Sequence, residues 1–411
     1  MISDTSKPRV LLLTLSNWIG APRLPRAFER AGFHVVTFGY PGLLLMRSQA
    51  AHEVVYVSAG QSNEELLRAL MELVERLQPA FVVPTDDATI LLLHAARARA
   101  ARAGSSDALA VYERSLGDAK HAATVRSRKL LARLAEVAGV RAPSFAAVHG
   151  EGDALAFAAR YGYPVVLKEE DSVAGMGVTV SKDETELCAA VARYATNPAT
   201  LVEGVLAQTF LAGRTAMRCV VAHAGRVLTG ISALKLETWP GPRGPSTCVE
   251  VIEHAELSAA AEAVIAALGY SGFASLDFML DADGRAYLIE LNPRPTPIAH
   301  LGERFGDCLC RKLGSVLGVD SRGPERAASP PSRVALFPQE WVRDPSSPHI
   351  AAGVFHDVPW DEPDLVDAYV AMGRSQMRFD GYRALAARRA GLHALLAEHE
   401  SAASFQTARL A

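Results

Sequence analysis

Apolar and polar positions follow two different periods along this chain, and the changes of period divide it. Over the first hundred residues, short and almost wholly apolar runs, RVLLLTL (9–15), HVVTFGY (34–40), EVVYV (53–57) and AFVVPT (80–85), alternate with stretches of helical period at about 22–31, 64–78 and 87–103. Apolar strands separated by amphipathic helices predict a parallel sheet covered on both faces, a Rossmann-like α/β unit. A helix is predicted over about 127–138, stopped by Gly139 and Pro143. A small α+β unit follows, with strands at 145–148, 164–168 and 178–181, helices at 151–161 and 183–196, and a glycine-containing loop before the third strand. From residue 201 the period is mostly two, which predicts several antiparallel strands. A helix returns in AELSAAAEAVIAALG (255–269), and SLDFMLDADGRAYLIELN (275–292) reads as two strands joined by a tight turn in which Gly284 supplies a positive φ. The Pro/Ser/Arg-rich VDSRGPERAASPPSR (319–333) marks a linker. Beyond it come one strand-like piece, RVALFPQEWV (333–342), and a final helix rich in Ala and Leu, expected to pack across a subunit or domain interface. No internal repeat is present.

Composition narrows the class. With 411 residues, 49% of them hydrophobic and 21% charged, the chain has material for two or three domains with a sizeable core. A formal net charge of -3 argues against a general nucleic-acid binder, and the basic stretches RARAARAG (97–104) and VRSRK (125–129) read as solvated helix faces. Five cysteines without a Cys-x-x-Cys spacing predict neither a zinc site nor a disulfide framework, so reducing cytoplasm is the expected compartment. No segment approaches eighteen consecutive apolar residues and the N-terminus shows no cleavage signal, so neither membrane insertion nor secretion is expected.

Candidate chemistry concentrates in the final hairpin. Paired strands place Asp277 nearly opposite Glu290, with Asn292 on the same face as Glu290. Two carboxylates that close repel unless a cation lies between them, and an all-oxygen set suits Mg²⁺; a solvated edge strand is the plain alternative. Upstream, Lys168 ends a buried strand before a loop holding Ser172, Gly175 and Gly177. Glycine backbone can close over phosphates there, with the lysine as a point charge, although two glycines in a hairpin are common. The loop after the first strand, SNWIGAPRLP (16–25), lacks Gly-x-Gly-x-x-Gly, so dinucleotide binding is not supported. Asp86 and Asp87 stand past the carboxyl end of a strand, where open α/β sheets bind ligands, but an Asp there is equally a helix N-cap. His121, His223, His254 and His300 carry no assignment, His300 being the nearest to the motif.

The order Lys129, Lys168, glycine loop, QTFLAG (208–213), Asp277 and then Glu290-Leu-Asn292-Pro-Arg294 resembles the ATP-grasp superfamily over residues 8 to 318. Within it, the chain looks like the carboxylate-amine ligases of the carbamoyl-phosphate synthetase and biotin carboxylase branch. The resemblance implies an α/β Rossmann-like (pre-ATP-grasp) domain at 1–115 and an α+β ATP-grasp fold of two subdomains. The smaller would span 116–205, the larger, with the metal site, 206–318, and a C-terminal extension 319–411. It further implies that Lys129 and Lys168 contact ATP phosphates beside the glycine loop. Gln208, Thr209, Phe210 and Leu211 would form the hinge, with backbone of Gln208 and Leu211 reading the adenine edge. Asp277, Glu290 and Asn292 would bind Mg²⁺, one ion or two, with Mn²⁺ as a substitute, and Arg294 would face the carboxylate or acyl phosphate. Lys235 and Arg243 both lie where relatives place a further phosphate-contacting base. Thr215 stands where several relatives carry a carboxylate for the ribose.

The implied activity is an ATP-dependent ligase joining a small carboxylate to an amine through an acyl phosphate. Phosphoryl transfer to a non-amine acceptor and a nucleotide-binding regulatory protein are the alternatives. Partners would be small-molecule substrates, with no nucleic acid or membrane, and a homodimer is the default expectation. For Arg294, a surface pair with Glu303 is the competing reading.

Overall fold

A computed structural model describes residues 7–170, 177–196, 204–319, 332–377 and 388–400. The first sheet contains β1 (Arg9–Thr14), β2 (His34–Gly39), β3 (Glu53–Tyr56) and β4 (Phe81–Pro84), all parallel, in the order β3-β2-β1-β4. Its central strand explains why the run was apolar on both faces. Val10 and Leu12 enter one core with Phe28 and Phe33, while Leu11 and Leu13 enter another with Leu66, Leu70 and Leu92. Helix Asn63–Leu77 closes the second core, and its start is held by a reciprocal Ser62–Glu65 capping box, worth about 1 kcal/mol.

A smaller antiparallel sheet is built from β5 (Phe145–Val148), β6 (Val165–Lys168), β7 (Val178–Ser181) and β8 (Val205–Thr209), in the order β5-β8-β6-β7. Helices Glu151–Tyr161 and Glu184–Tyr194 pack on it through Phe157, Ala158, Leu187 and Ala190. β8 therefore completes the smaller sheet, whereas the expected boundary at 205 divided it from its partners. The strand's own alternation was readable, but pairing with β5, some sixty residues earlier, was not.

The largest sheet has seven strands: β9 (Arg214–His223), β10 (Arg226–Thr238), β11 (Ser246–Ile252), β12 (Gly272–Leu280), β13 (Ala286–Asn292), β14 (Arg333–Leu336) and β15 (Phe355–Asp357). Their order is β13-β12-β9-β10-β11-β14-β15. Alternate residues of β9 serve two cores. Met217, Cys219 and Val221 share the Val10 core, and Ala216, Val220 and Ala222 pack under helix Ala255–Leu268. This sheet thus sits directly against the first domain.

The C-terminal residues are not a separate appendage. β14 adds to β11 with Cys248 opposite Ala335, and β15 adds parallel to β14. Helix Pro363–Met377 returns to the first domain, where the Tyr369 hydroxyl donates to the Ile19 carbonyl at 2.6 Å. A last helix, 388–400, buries Leu392 and Leu396 in the Leu11 core, so its partner is the N-terminal domain of the same chain. The five cysteines are free, and no described helix is long and apolar enough to cross a membrane.

Candidate active site

The site begins with the β12–β13 hairpin. Gly284, at φ +80°, closes its turn, and the register sets Asp277 opposite Glu290 and Ser275 opposite Asn292. Both carboxylates already hold a side-chain cation. Lys235 Nζ donates to Asp277 Oδ2 at 2.9 Å, and Arg128 Nη2 donates to Glu290 Oε1 at 2.9 Å. Arg243, by contrast, is exposed on the turn between β10 and β11, so of the two candidate bases only Lys235 reaches the carboxylates.

Lys168, at the end of β6, is 7% exposed. Burial pushes its ammonium down to about 8, with Arg128 acting the same way, while Glu290 and Asp277 partly oppose the fall. Burial works against ionised Glu290, but Arg128, Lys168 and Lys235 outweigh it and hold its pKa below the usual value. The result is a compact cluster of three bases around two carboxylates.

Arg128 was not foreseen. The expected phosphate base was its neighbour, Lys129, whose Nζ lies 3.7 Å from Glu170 Oε1. Arg128 also donates to the Glu169 carbonyl at 2.5 Å and to the Glu170 carbonyl, so it ties the base of the glycine loop to β13. Glu170 in turn sits on the amino end of helix Arg128–Val137, accepting from the Arg128 N–H at 2.7 Å and the Lys129 N–H at 3.1 Å. The reading of VRSRK as a solvated face is therefore corrected: Arg126 and Arg128 have side chains only 13% exposed. In RARAARAG, likewise, Arg97 is buried and donates to the Gly117 carbonyl. Where a helix packs against another unit, partners distant in sequence can bury charged residues without an apolar pattern to announce them.

The glycine loop is only partly described: Ser172 and Gly175 lie outside the described residues, while the Gly177 carbonyl accepts from the Glu169 N–H at 3.1 Å. At the expected hinge, Gln208 is buried in the middle strand between Phe145 and Val166. The Thr209 and Phe210 N–H groups donate to the Ser144 and Pro164 carbonyls, and Leu211 lies beyond both bonds.

Arg294 faces the other way along the cleft, toward the first domain. It is 4% exposed, with Nε donating to Asp87 Oδ1 at 3.0 Å and the guanidinium 4.2 Å from the ring centroid of Trp18. Its Nη1 is buried without a hydrogen-bond partner among the described residues. Glu303, the alternative partner, pairs with Arg30 instead. The two readings of the Asp86-Asp87 pair are divided between its members. Asp86 caps helix Asp87–Ala103, accepting from the Thr89 N–H, and also accepts from the Leu15 and Ser16 N–H groups. Asp87 is left to meet Arg294. Trp18 is placed by a close backbone approach: a Cβ on Gly20 would lie 2.5 Å from Pro297 Cα, so only glycine lets this loop dock on the end of the Arg294 motif. His300 bonds Asp357, which also pairs with Arg23, so it fastens the tail to this loop.

Between Arg128, Glu290 and Arg294 opens a small cleft of about 90 Å³. Its remaining walls come from helix Asp87–Ala103 and, unexpectedly, from Arg389 and His393 of the last helix. Among the described residues, no three Asp, Glu, His or Cys side chains converge as a self-sufficient metal centre. Asp277, Glu290 and Asn292, the expected all-oxygen set, are brought to one end of the hairpin by its register, with the Asn292 Oδ1 accepting from Arg294 Nη2 at 3.4 Å; two acids alone would suit an ion that takes its other ligands from water or a nucleotide.

Comparison with known proteins agrees with this geometry. An ATP-grasp domain model matches residues 128–297. The carbamoyl phosphate synthase large chain of Thermotoga neapolitana is 25% identical over 307 residues, covering 72% of this chain and 27% of that protein. The D-alanine–D-alanine ligase of Bordetella petrii is 25% identical over 176 residues, covering 39% of this chain and 52% of that ligase. The chain thus spans about half or less of the length of these curated relatives. In structure, biotin carboxylase from Campylobacter jejuni, solved in a β,γ-ATP complex, is similar at a TM-score of 0.61, with 16% identity over 78% of this chain and 73% of that one. At that identity the likeness concerns the fold. This chain carries an ATP-grasp domain, at residues 128–297, and resembles the carboxylate-amine ligase branch of that superfamily.

Proposed function

We propose that the protein is an ATP-dependent ligase that activates a small carboxylate as an acyl phosphate and joins it to an amine, releasing ADP and phosphate. The observation that carries this reading is the cluster in which Lys168, Arg128 and Lys235 surround Asp277 and Glu290, beside a cleft holding the buried Arg294. A pure nucleotide binder has no use for so many opposed charges in one seam. In this reading Lys168 and Arg128 hold the ATP phosphates, and Arg128 leaves Glu290 to do so. Asp277, Glu290 and Asn292 would hold Mg²⁺, with Mn²⁺ as a substitute. When bound, the ion neutralises phosphoryl charge and fixes the oxygens that Lys168 and Lys235 also face.

The chemistry requires little beyond positioning. A carboxylate oxygen bonds to the γ-phosphorus as the bond to the β,γ-bridging oxygen breaks, and ADP leaves. A neutral amine then adds to the acyl carbon, the carbon–oxygen bond to phosphate breaks, and the ammonium proton is lost as the amide forms. Arg294, with its unfilled Nη1, stabilises the acyl oxygens, and the lysines and Arg128 neutralise the transferring group. No Ser/His/Asp or Cys/His pair is needed. Asp87 and Trp18 hold the Arg294 guanidinium in plane for this role.

Phosphate release from MgATP, measured against amino acids and small acids offered singly and in pairs, tests the proposal. Release that depends on a carboxylate together with an amine supports a ligase; equal release with single compounds points to phosphorylation of a non-amine acceptor. The reading also places the enzyme in the cytoplasm, as a homodimer, which fractionation and sedimentation would check.

A further inference from the structure

The three side chains expected to hold a metal ion are each engaged by a base. Lys235 Nζ donates to Asp277 Oδ2 at 2.9 Å, Arg128 Nη2 donates to Glu290 Oε1 at 2.9 Å, and Asn292 Oδ1 accepts from Arg294 Nη2 at 3.4 Å. Neither carboxylate pair is a surface contact, for all four side chains are less than a third exposed.

The two bases reach their carboxylates from other elements. Asp277 lies on β12 and Lys235 on β10, so the lysine side chain crosses the intervening β9 to make its bond. Arg128 opens helix Arg128–Val137 and reaches β13, with further bonds from the same guanidinium to the Glu169 and Glu170 carbonyls. The pairings are thus set by the way sheet, helix and the end of β6 are assembled, not by neighbours in sequence.

This assembly puts an entering ion before two costs. If it displaces a base, that base is left partly buried without its carboxylate. If it shares the carboxylate, a divalent charge stands beside an ammonium or guanidinium in a partly desolvated seam. A nucleotide relieves both, because its phosphates give a displaced base a new anionic partner and their oxygens add to the ligands of the ion.

We infer that Arg128 and Lys235 are built-in counter-cations that close the metal ligands in the free protein, so that Asp277 and Glu290 take up a divalent ion together with a nucleoside diphosphate or triphosphate and not before it. The inference rests on Asp277, Glu290 and Asn292 being the metal ligands of the proposed ligase. Ion and nucleotide then raise each other's affinity by the same factor, as thermodynamic linkage requires.

Water-proton relaxation enhancement by Mn²⁺, titrated into the full chain with and without ADP, tests this in the wild type, Lys235→Met and Arg128→Met, with folding checked by circular dichroism. The wild type is expected to bind Mn²⁺ at least roughly tenfold more tightly with ADP than without it. Without ADP, each variant should bind Mn²⁺ roughly threefold to thirtyfold more tightly than wild type, because the competing cation is gone. A gain separates this role from a structural one, since loosened packing weakens ion binding. Where a Met variant does not fold, Lys235→Gln and Arg128→Gln make the same comparison. Mn²⁺ bound equally well with and without ADP by the wild type overturns the inference, and so does Mn²⁺ bound alone no more tightly by the folded variants than by wild type. Failure of the metal assignment itself has a different signature: Mn²⁺ binding in the presence of ADP that is unchanged in Asp277→Asn and Glu290→Gln would show the ion to be held elsewhere, and the inference would fall with it.

Discussion

On the proposed phosphate role, Lys168 should tie nucleotide affinity to pH in a calculable way. In the free protein its pKa is pushed from 10.5 to about 8, chiefly by burial. Holding the charge there costs on the order of 3 kcal/mol, at about 1.4 kcal/mol per unit. Phosphates bound beside Lys168, as proposed, would restore the charged form, so binding would be accompanied by proton uptake wherever Lys168 is neutral beforehand. A group with a pKa of about 8 lowers the apparent affinity by a factor of about 1.1 at pH 7 and about 11 at pH 9, which is roughly tenfold weakening across two units. Uptake should be about half a proton at pH 8 and close to zero at pH 6. The linkage to folding has the opposite sign. Between 8 and 10.5 the unfolded chain holds the Lys168 proton more firmly than the folded one, so this residue makes the free protein more stable as pH rises through that window. Calorimetric titration with ADP·Mg²⁺ in buffers of different ionisation enthalpy reports the protons directly, with Lys168→Met as the comparison. An affinity independent of pH in the wild type, or the same proton uptake in Lys168→Met, would refute the reasoning.

The proposed metal ligands make a second prediction: Asp277→Asn, Glu290→Gln and Asn292→Ala should each lower turnover by roughly a hundredfold or more with the fold intact, and wild-type kcat in Glu290→Gln would remove the assignment. Arg294→Lys preserves charge but cannot keep both the Asp87 bond and the stack on Trp18. Steady-state kinetics should show a large fall in ligation rate with nearly unchanged ATP affinity, whereas unchanged turnover would reduce Arg294 to an inter-domain tie. Gly20→Ala forces a Cβ to within 2.5 Å of Pro297, so denaturant unfolding should show a loss of about 1–3 kcal/mol together with reduced kcat; an unaffected midpoint would mean the loop does not need that approach.

What the sequence made legible was local. Asp277 and Glu290 could be set opposite one another because a tight turn closed by Gly284 fixes the register of an adjacent hairpin. Helix Asp87–Ala103 was readable from its cap and its end at Gly104. The contacts that shape the cleft are of another kind. Asp87 and Arg294 meet across 207 positions, and nothing periodic connects them. Arg389 and His393 belong to a helix whose Ala/Leu pattern speaks of packing, and its charged face was indistinguishable from a solvated one until the anchoring side was known. Arg128 and Lys129 show the finest limit. They are adjacent bases at a helix start, and only the direction of the chain entering from Ser127 decides that the first reaches Glu290 and the second approaches Glu170.

The central claim is that a carboxylate attacks the γ-phosphoryl group, and isotope transfer tests it most directly. The enzyme is incubated with MgATP, amines, and amino acids and small acids carrying ¹⁸O in their carboxyl groups, and the released phosphate is examined by ³¹P NMR. The account predicts one ¹⁸O atom in each phosphate formed, an amide product that has lost that atom, and neither in Glu290→Gln. Phosphate released without label while the amide forms would contradict it, because the carboxylate oxygen would then never have been bonded to phosphorus.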